Sequence, residues 1–161
     1  MAKPEYSASQ VREFLIDLFP HRKLVLSQLT FFSRTGIAQP TGETLKRGRR
    51  CFCLEDILPV ACILALKEKG IPLCNVRPVP ALLMTHSQRI FAFDGQARLS
   101  GCGDKVFLSF DNDEGMCPVM SSFLSGNEDM SLFWSYDVSA LARELLEIAW
   151  EYQESLQRTA A

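Results

Sequence analysis

The segment Leu45-Lys46-Arg47-Gly48-Arg49-Arg50 holds the densest charge in this 161-residue chain. Four cations gathered about one glycine suit the phosphate oxygens of a nucleic acid; the bland alternative is a solvated turn. Between Pro20 and Arg50 they are joined by Arg22, Lys23 and Arg34, against a single acidic residue, Glu43. The net charge of -2 conceals this asymmetry. Residues 1–80 hold twelve Lys/Arg against seven Asp/Glu, whereas residues 81–161 hold five against twelve. A basic half and an acidic half point to different partners at the two ends of the chain.

Other side chains invite chemistry and offer less. The cysteines are Cys51, Cys53, Cys62, Cys74, Cys102 and Cys117. Cys51-Phe-Cys53 is one residue short of the usual metal-ligand spacing, although a strand would put both thiols on one face. His86 is isolated, so neither a metal nor another cofactor is expected. Asp111, Asp113 and Glu114, like Glu128 and Asp129, lack a partnering histidine and read as solvated turns, so no catalytic residue is assigned and no enzyme activity is expected. The amino-terminal residues MAKPEYSASQVREFL carry charge where a leader needs an apolar core, and no run of about eighteen apolar residues could span a bilayer. The expectation is a cytoplasmic protein with reduced thiols and no membrane partner.

These side chains need a frame. Ser7 or Ser9 can cap a helix through QVREFLIDLF, with Val11, Phe14, Leu15 and Leu18 on one face and Pro20 ending it. A second helix is expected from about Leu24 to Arg34, closed by Gly36 and Pro40. Ser27 and Gln28 on it are candidates for base edges, and Arg34 for a phosphate or for a structural pair with Glu55 or Asp56. Phe31, Phe32 and Phe52 are expected in the core behind. Residues 41–53 read as two short extended arms about Lys46-Arg47-Gly48, followed by a third helix, LEDILPVACILALKEKG. Residues 72–84 are a weaker helix candidate, short or restarted at Pro78 or Pro80. QRIFAF (88–93) and KVFLSF (105–110) alternate as strands do, and ARLS (97–100) completes a hairpin with the first across Asp94-Gly95. Residues 111–131 show no periodicity and read as a long loop. Asp137 then caps a last helix whose Val138, Leu141, Leu145, Ile148, Tyr152 and Leu156 form an apolar stripe. Leu146, Ala149 and Trp150 widen it. Such a stripe is buried against its own lobe or against a second subunit, and it is the candidate dimerisation surface.

Two helices, a basic extended hairpin and a third helix make the order of a winged helix-turn-helix. LSQLTFFSRTGIAQP (26–40) resembles the recognition-helix end and following turn of the MerR family of bacterial transcription regulators. Phe31 and Phe32 fall on its paired aromatics, Arg34 on its basic position, and Gly36, Ile37 and Pro40 on its turn. GRRCFCLEDI (48–57) is similar to that family's wing-to-helix segment, and ALKEKGIPL (65–73) to the helix–glycine–helix corner that follows. The likeness covers residues 6–83, about half the chain. Thr30 replaces the family's usual arginine, phenylalanines replace its tyrosines, and Leu18–Leu24 is longer than its usual turn.

The expected fold is α+β: an N-terminal winged helix (5–84), which the resemblance implies, then a small antiparallel β segment for an effector or interaction (85–134) and a dimerisation helix (135–158), both read from the residue patterns. The resemblance implies a homodimer on double-stranded DNA, with RNA polymerase as a further partner. Arg22, Lys23, Lys46, Arg47, Arg49 and Arg50 would meet phosphates while the second helix enters the major groove. The alternative keeps the fold and loses DNA, leaving a module for a protein or small-molecule partner.

Overall fold

The computed structural model describes residues 3–21, 26–102, 105–111 and 133–161. Helix α1 spans Ala8–Leu18. Its start is a capping box, in which the Ser7 hydroxyl accepts from the Gln10 amide and Gln10 Oε1 accepts from the Ser7 amide at 2.7 Å. Helix α2 spans Leu26–Arg34. Gly36, at φ 78°, reverses the chain so that Ile37 donates to the Phe32 carbonyl at 2.9 Å. Strands β1 (Leu45–Lys46) and β2 (Arg49–Arg50) form a hairpin. Both tip residues are left-handed, Arg47 at φ 52° and Gly48 at φ 74°, as a two-residue primed turn demands. Gly42 extends the ladder by donating to the Cys51 carbonyl, so close that a β-carbon there would strike it.

Helix α3, Leu54–Glu68, is buried at every residue from Asp56 to Leu66 and forms the centre of the molecule. Gly70, at φ 79°, closes it in the same way that Gly36 closes α2. After a short 3-10 turn at Leu73–Asn75 comes α4, Val79–Ala92. Pro78 caps α4 and Pro80 lies in its first turn, where a missing amide donor removes no helical hydrogen bond. The prolines therefore start this helix instead of breaking it.

The strand expected at QRIFAF does not form, because those residues lie within α4 and just after it. Val79, Leu83, Ser87 and Ile90 are all buried at three–four spacing. That longer period overrides the six-residue alternation. The hairpin is consequently built from other partners. Strand β3 (Gln96–Cys102) lies between β4 (Lys105–Asp111) and β5 (Phe133–Asp137), all antiparallel. Ala97, Leu99 and Gly101 face the core, with Phe110, Leu108 and Val106 opposite on β4 and Tyr136 and Trp134 opposite on β5. The indole of Trp134 fills the space a side chain at residue 101 would occupy, so glycine is required there. The loop expected over 111–131 lies, beyond Asp111, outside the described residues.

Helix α5, Val138–Ala160, starts where the capping residue predicts. Asp137 accepts from the Ala140 amide at 3.1 Å and the Ser139 hydroxyl at 2.6 Å, and Gln96 ties it to β3 at 3.1 Å. Burial alone would raise the Asp137 carboxyl; these donors hold it below its ordinary range. The chain is thus an α+β protein with N-terminal helices, small antiparallel sheets and a long C-terminal helix. One apolar cluster runs from Tyr6 to Ala149 and draws on all three expected segments.

Candidate nucleic-acid interface

A groove of about 1140 Å³ opens between the start of α1, one side of α2 and the β1–β2 wing. Thr30, Ser33 and Arg34 line it from α2, and Lys46, Arg47, Arg49 and Arg50 from the wing. Five cations therefore share one concavity, and among the described residues no carboxylate lines it. All five are exposed, and among the described residues none pairs with a carboxylate. Such a surface concentrates positive potential where an anionic ligand can enter.

Three carboxylates nearby, Glu55, Asp56 and Glu5, are engaged elsewhere. Glu55 bonds Lys3 at 2.6 Å. Asp56 is fully buried and accepts from the Thr41 amide and hydroxyl at 2.9 Å and the Cys53 amide at 2.8 Å. Burial pushes its carboxyl up despite those donors. Asp56 thereby pins the chain entering the wing to the start of α3. Arg34 is left facing the groove, so neither structural pair open to it from the sequence is formed. Glu5 holds the wing's first arm, accepting from the Glu43 and Thr44 amides, each at 2.8 Å. The Tyr6–Phe52 bridge, with backbone bonds of 2.8 and 2.7 Å, fixes the other end.

Along α2, Leu29 (4% exposed) and Phe32 (8%) face the core. Thr30, Phe31 and Arg34 consequently point away from it, since successive residues turn by about 100°. Phe31 is 56% exposed, which corrects its expected place in the core; Phe32 and Phe52 are buried as expected. On a helix covered along one side only, adjacent residues diverge by about 100°, and the Leu29–Phe32 spacing already showed which of the pair would be inside. Gln28 is exposed but lies on the flank of that face, outside the groove lining. Arg22 and Lys23 lie outside the described residues, as does the side chain of Ser27, which belongs to the first turn of α2.

The apolar stripe of α5 takes the first of its two alternatives for most of its length. Val138, Leu141 and Leu145 are buried within their own chain, and Ile148 and Tyr152 are half-buried against the same core. Tyr152 meets the Phe14 ring edge-on at 5.3 Å and accepts from Gln10 Nε2 at 2.6 Å. Leu156 is exposed, and so are Leu146 and Trp150 on the outer side.

The described cysteines are all free thiols; Cys117 lies outside the described residues. Burial raises the thiols of Cys62 and Cys53, which keeps both protonated. Among the described residues, no three His, Cys, Asp or Glu side chains gather as a metal site. Nor is any described helix long and apolar enough to cross a membrane. No family model matches the chain, and no curated protein does.

Proposed function

We propose that this protein is a sequence-specific DNA-binding transcription regulator with a MerR-like winged helix. The observation that carries this reading is the groove where Arg34 of α2 and Lys46, Arg47, Arg49 and Arg50 of the wing converge, with no carboxylate among the described residues that line it. In this reading the wing cations hold phosphates and α2 lies in the major groove. The left-handed Arg47 adds support. That conformation costs a residue with a β-carbon about 1–2 kcal/mol, and asparagine would fill it more cheaply. An arginine kept there places a cation at the tip of the wing.

One such module spans few base pairs, so a homodimer on paired half-sites supplies the missing specificity. Because Val138, Leu141 and Leu145 are already covered, the dimer surface in this proposal is the exposed part of α5, with Leu146 and Trp150 on its outer side and Leu156 at the uncovered end of its stripe. Light scattering on the full chain should give twice the monomer mass at micromolar concentration, and Leu146→Glu with Trp150→Glu should halve it. A wild-type monomer on DNA and off it removes the dimer from the proposal.

DNA binding is tested by salt. Affinity for duplex DNA should fall steeply as salt rises, with the logarithmic slope shrinking by about one for each phosphate contact removed. Replacing Arg47, Arg49 and Arg50 together by alanine should flatten it by two to three. Equal, negligible binding by both proteins would end the DNA reading. The outer face of α5 would then be the surface to examine for a protein partner.

A further inference from the structure

We infer that Phe31 is the residue through which α2 reads thymine, its ring seated on the C5 methyl group in the major groove. The inference rests on the duplex-DNA reading above and adds to it a base and the side chain that recognises it. Exposed large hydrophobics are few among the described residues: Phe31, Leu45, Leu146, Trp150 and Leu156. Phe31 is the one that α2 carries. It is 56% exposed, while Leu29 and Phe32 on the same helix are buried.

Its position is held on two sides. The ring leans edge-on against Phe32, with centroids 5.9 Å apart and planes at 61°. The Phe31 carbonyl accepts from both the amide and the hydroxyl of Thr35, each at 3.0 Å, which tightens the end of α2 beneath it. Arg34 follows less than a turn later on the same outward side and lines the basic groove. A phosphate held by Arg34 and the wing would bring the Phe31 ring to the base edges.

The chemistry of the side chain then selects the base. Phenylalanine has neither a donor nor an acceptor, so it cannot read the hydrogen-bond pattern of a base edge. The C5 methyl of thymine is the apolar feature that an unmodified major groove displays. Phe31 does not line the groove but projects from the outward side of α2 near Arg34, and an exposed ring flanking a cationic groove fits duplex DNA carrying a thymine under α2. The charge of the groove favours that occupant over an apolar protein surface.

The test uses the full chain and duplexes enriched from a randomised library. The best-binding duplex is resynthesised with uracil in place of each thymine in turn, which removes the methyl and nothing else. At one thymine or more, wild-type affinity should fall about fourfold, the weight of one buried methyl-sized group. Phe31→Ala should bind thymine and uracil duplexes equally, with an unchanged salt slope and an unchanged melting temperature. Phe31→Leu should retain part of the discrimination. Equal wild-type affinity at every position, or discrimination that survives Phe31→Ala, overturns the assignment while an intact salt slope leaves the DNA reading standing. If no duplex binds in a salt-dependent way, both fall together.

Discussion

Arg47 shows how one residue can set function against stability. The wing tip calls for two left-handed residues, and Gly48 meets that need without strain while Arg47 does not. Arg47→Asn should therefore relax the turn and raise the melting temperature by about 1–3 °C, the shift expected for somewhat under 1 kcal/mol in a chain of this size. The same change should weaken DNA binding and reduce the salt slope by about one. A purely structural arginine would move neither affinity nor slope, so paired melting and binding curves decide the matter. Much at this scale was legible beforehand. Gly48 in the turn, Gly36 after α2 and Asp137 before α5 each follow from local backbone chemistry, which needs no knowledge of distant chain. The exposure of Phe31 was legible too, but only through the spacing of its neighbours. Hydrophobic type alone places it wrongly.

The wing is too short to hold its own shape. Two residue pairs form β1 and β2, and a hairpin of that size is marginal in water unless something braces it. Glu5 is the brace, and its charge matters. The Thr44 side chain, then the Glu43 and Thr44 amides, hold the Glu5 carboxyl below its ordinary value of 4.5. A folded-state pKa below the unfolded one means the contribution is present above about 4.5 and is lost as pH falls through the lower folded value. The amide resonances of Glu43 and Thr44 should therefore titrate with a midpoint below 4.5 in the wild type. They should be flat across that range in Glu5→Gln, whose wing should also bind DNA less tightly. A wild-type midpoint at or above 4.5 would show that Glu5 does not clamp the arm. Glu5 was missed in the sequence because it acts 38 residues from Glu43, a distance that no spacing rule spans. The same limit explains QRIFAF. Six residues alternate like a strand, yet Val79 and Leu83 upstream belong to the same buried face, and only a window long enough to include them shows a helix. The β3 pairings likewise depend on β5, which follows β4 after a long stretch of chain.

The charge pattern divides the chain near Pro80, but the core does not. Helix α5 lies at the carboxyl end of the acidic half, yet it packs on α1, α3 and α4 as well as on β3. Gln10 and Phe14 of α1 both meet Tyr152, so the first helix of the proposed DNA reader rests on the last helix of the chain. Removing α5 would uncover Val138, Leu141 and Leu145 positions at once, each worth about 1.5–3 kcal/mol of apolar burial. Their combined loss rivals the whole stability of a typical domain, about 5–15 kcal/mol. A chain ending at residue 134 should therefore lose cooperative unfolding in urea across both halves, and with it salt-dependent DNA binding. Ending the chain at Glu154 is a different change, since residues 155–161 are all exposed. That truncation should shift the melting temperature by no more than about 2 °C. If residues 1–134 unfold cooperatively and keep the wild-type salt slope, the reader has a core of its own. If they do not, α5 is a direct link between the three-stranded sheet and α1, since it is capped by Asp137 of β5 and bonded through Tyr152 to Gln10.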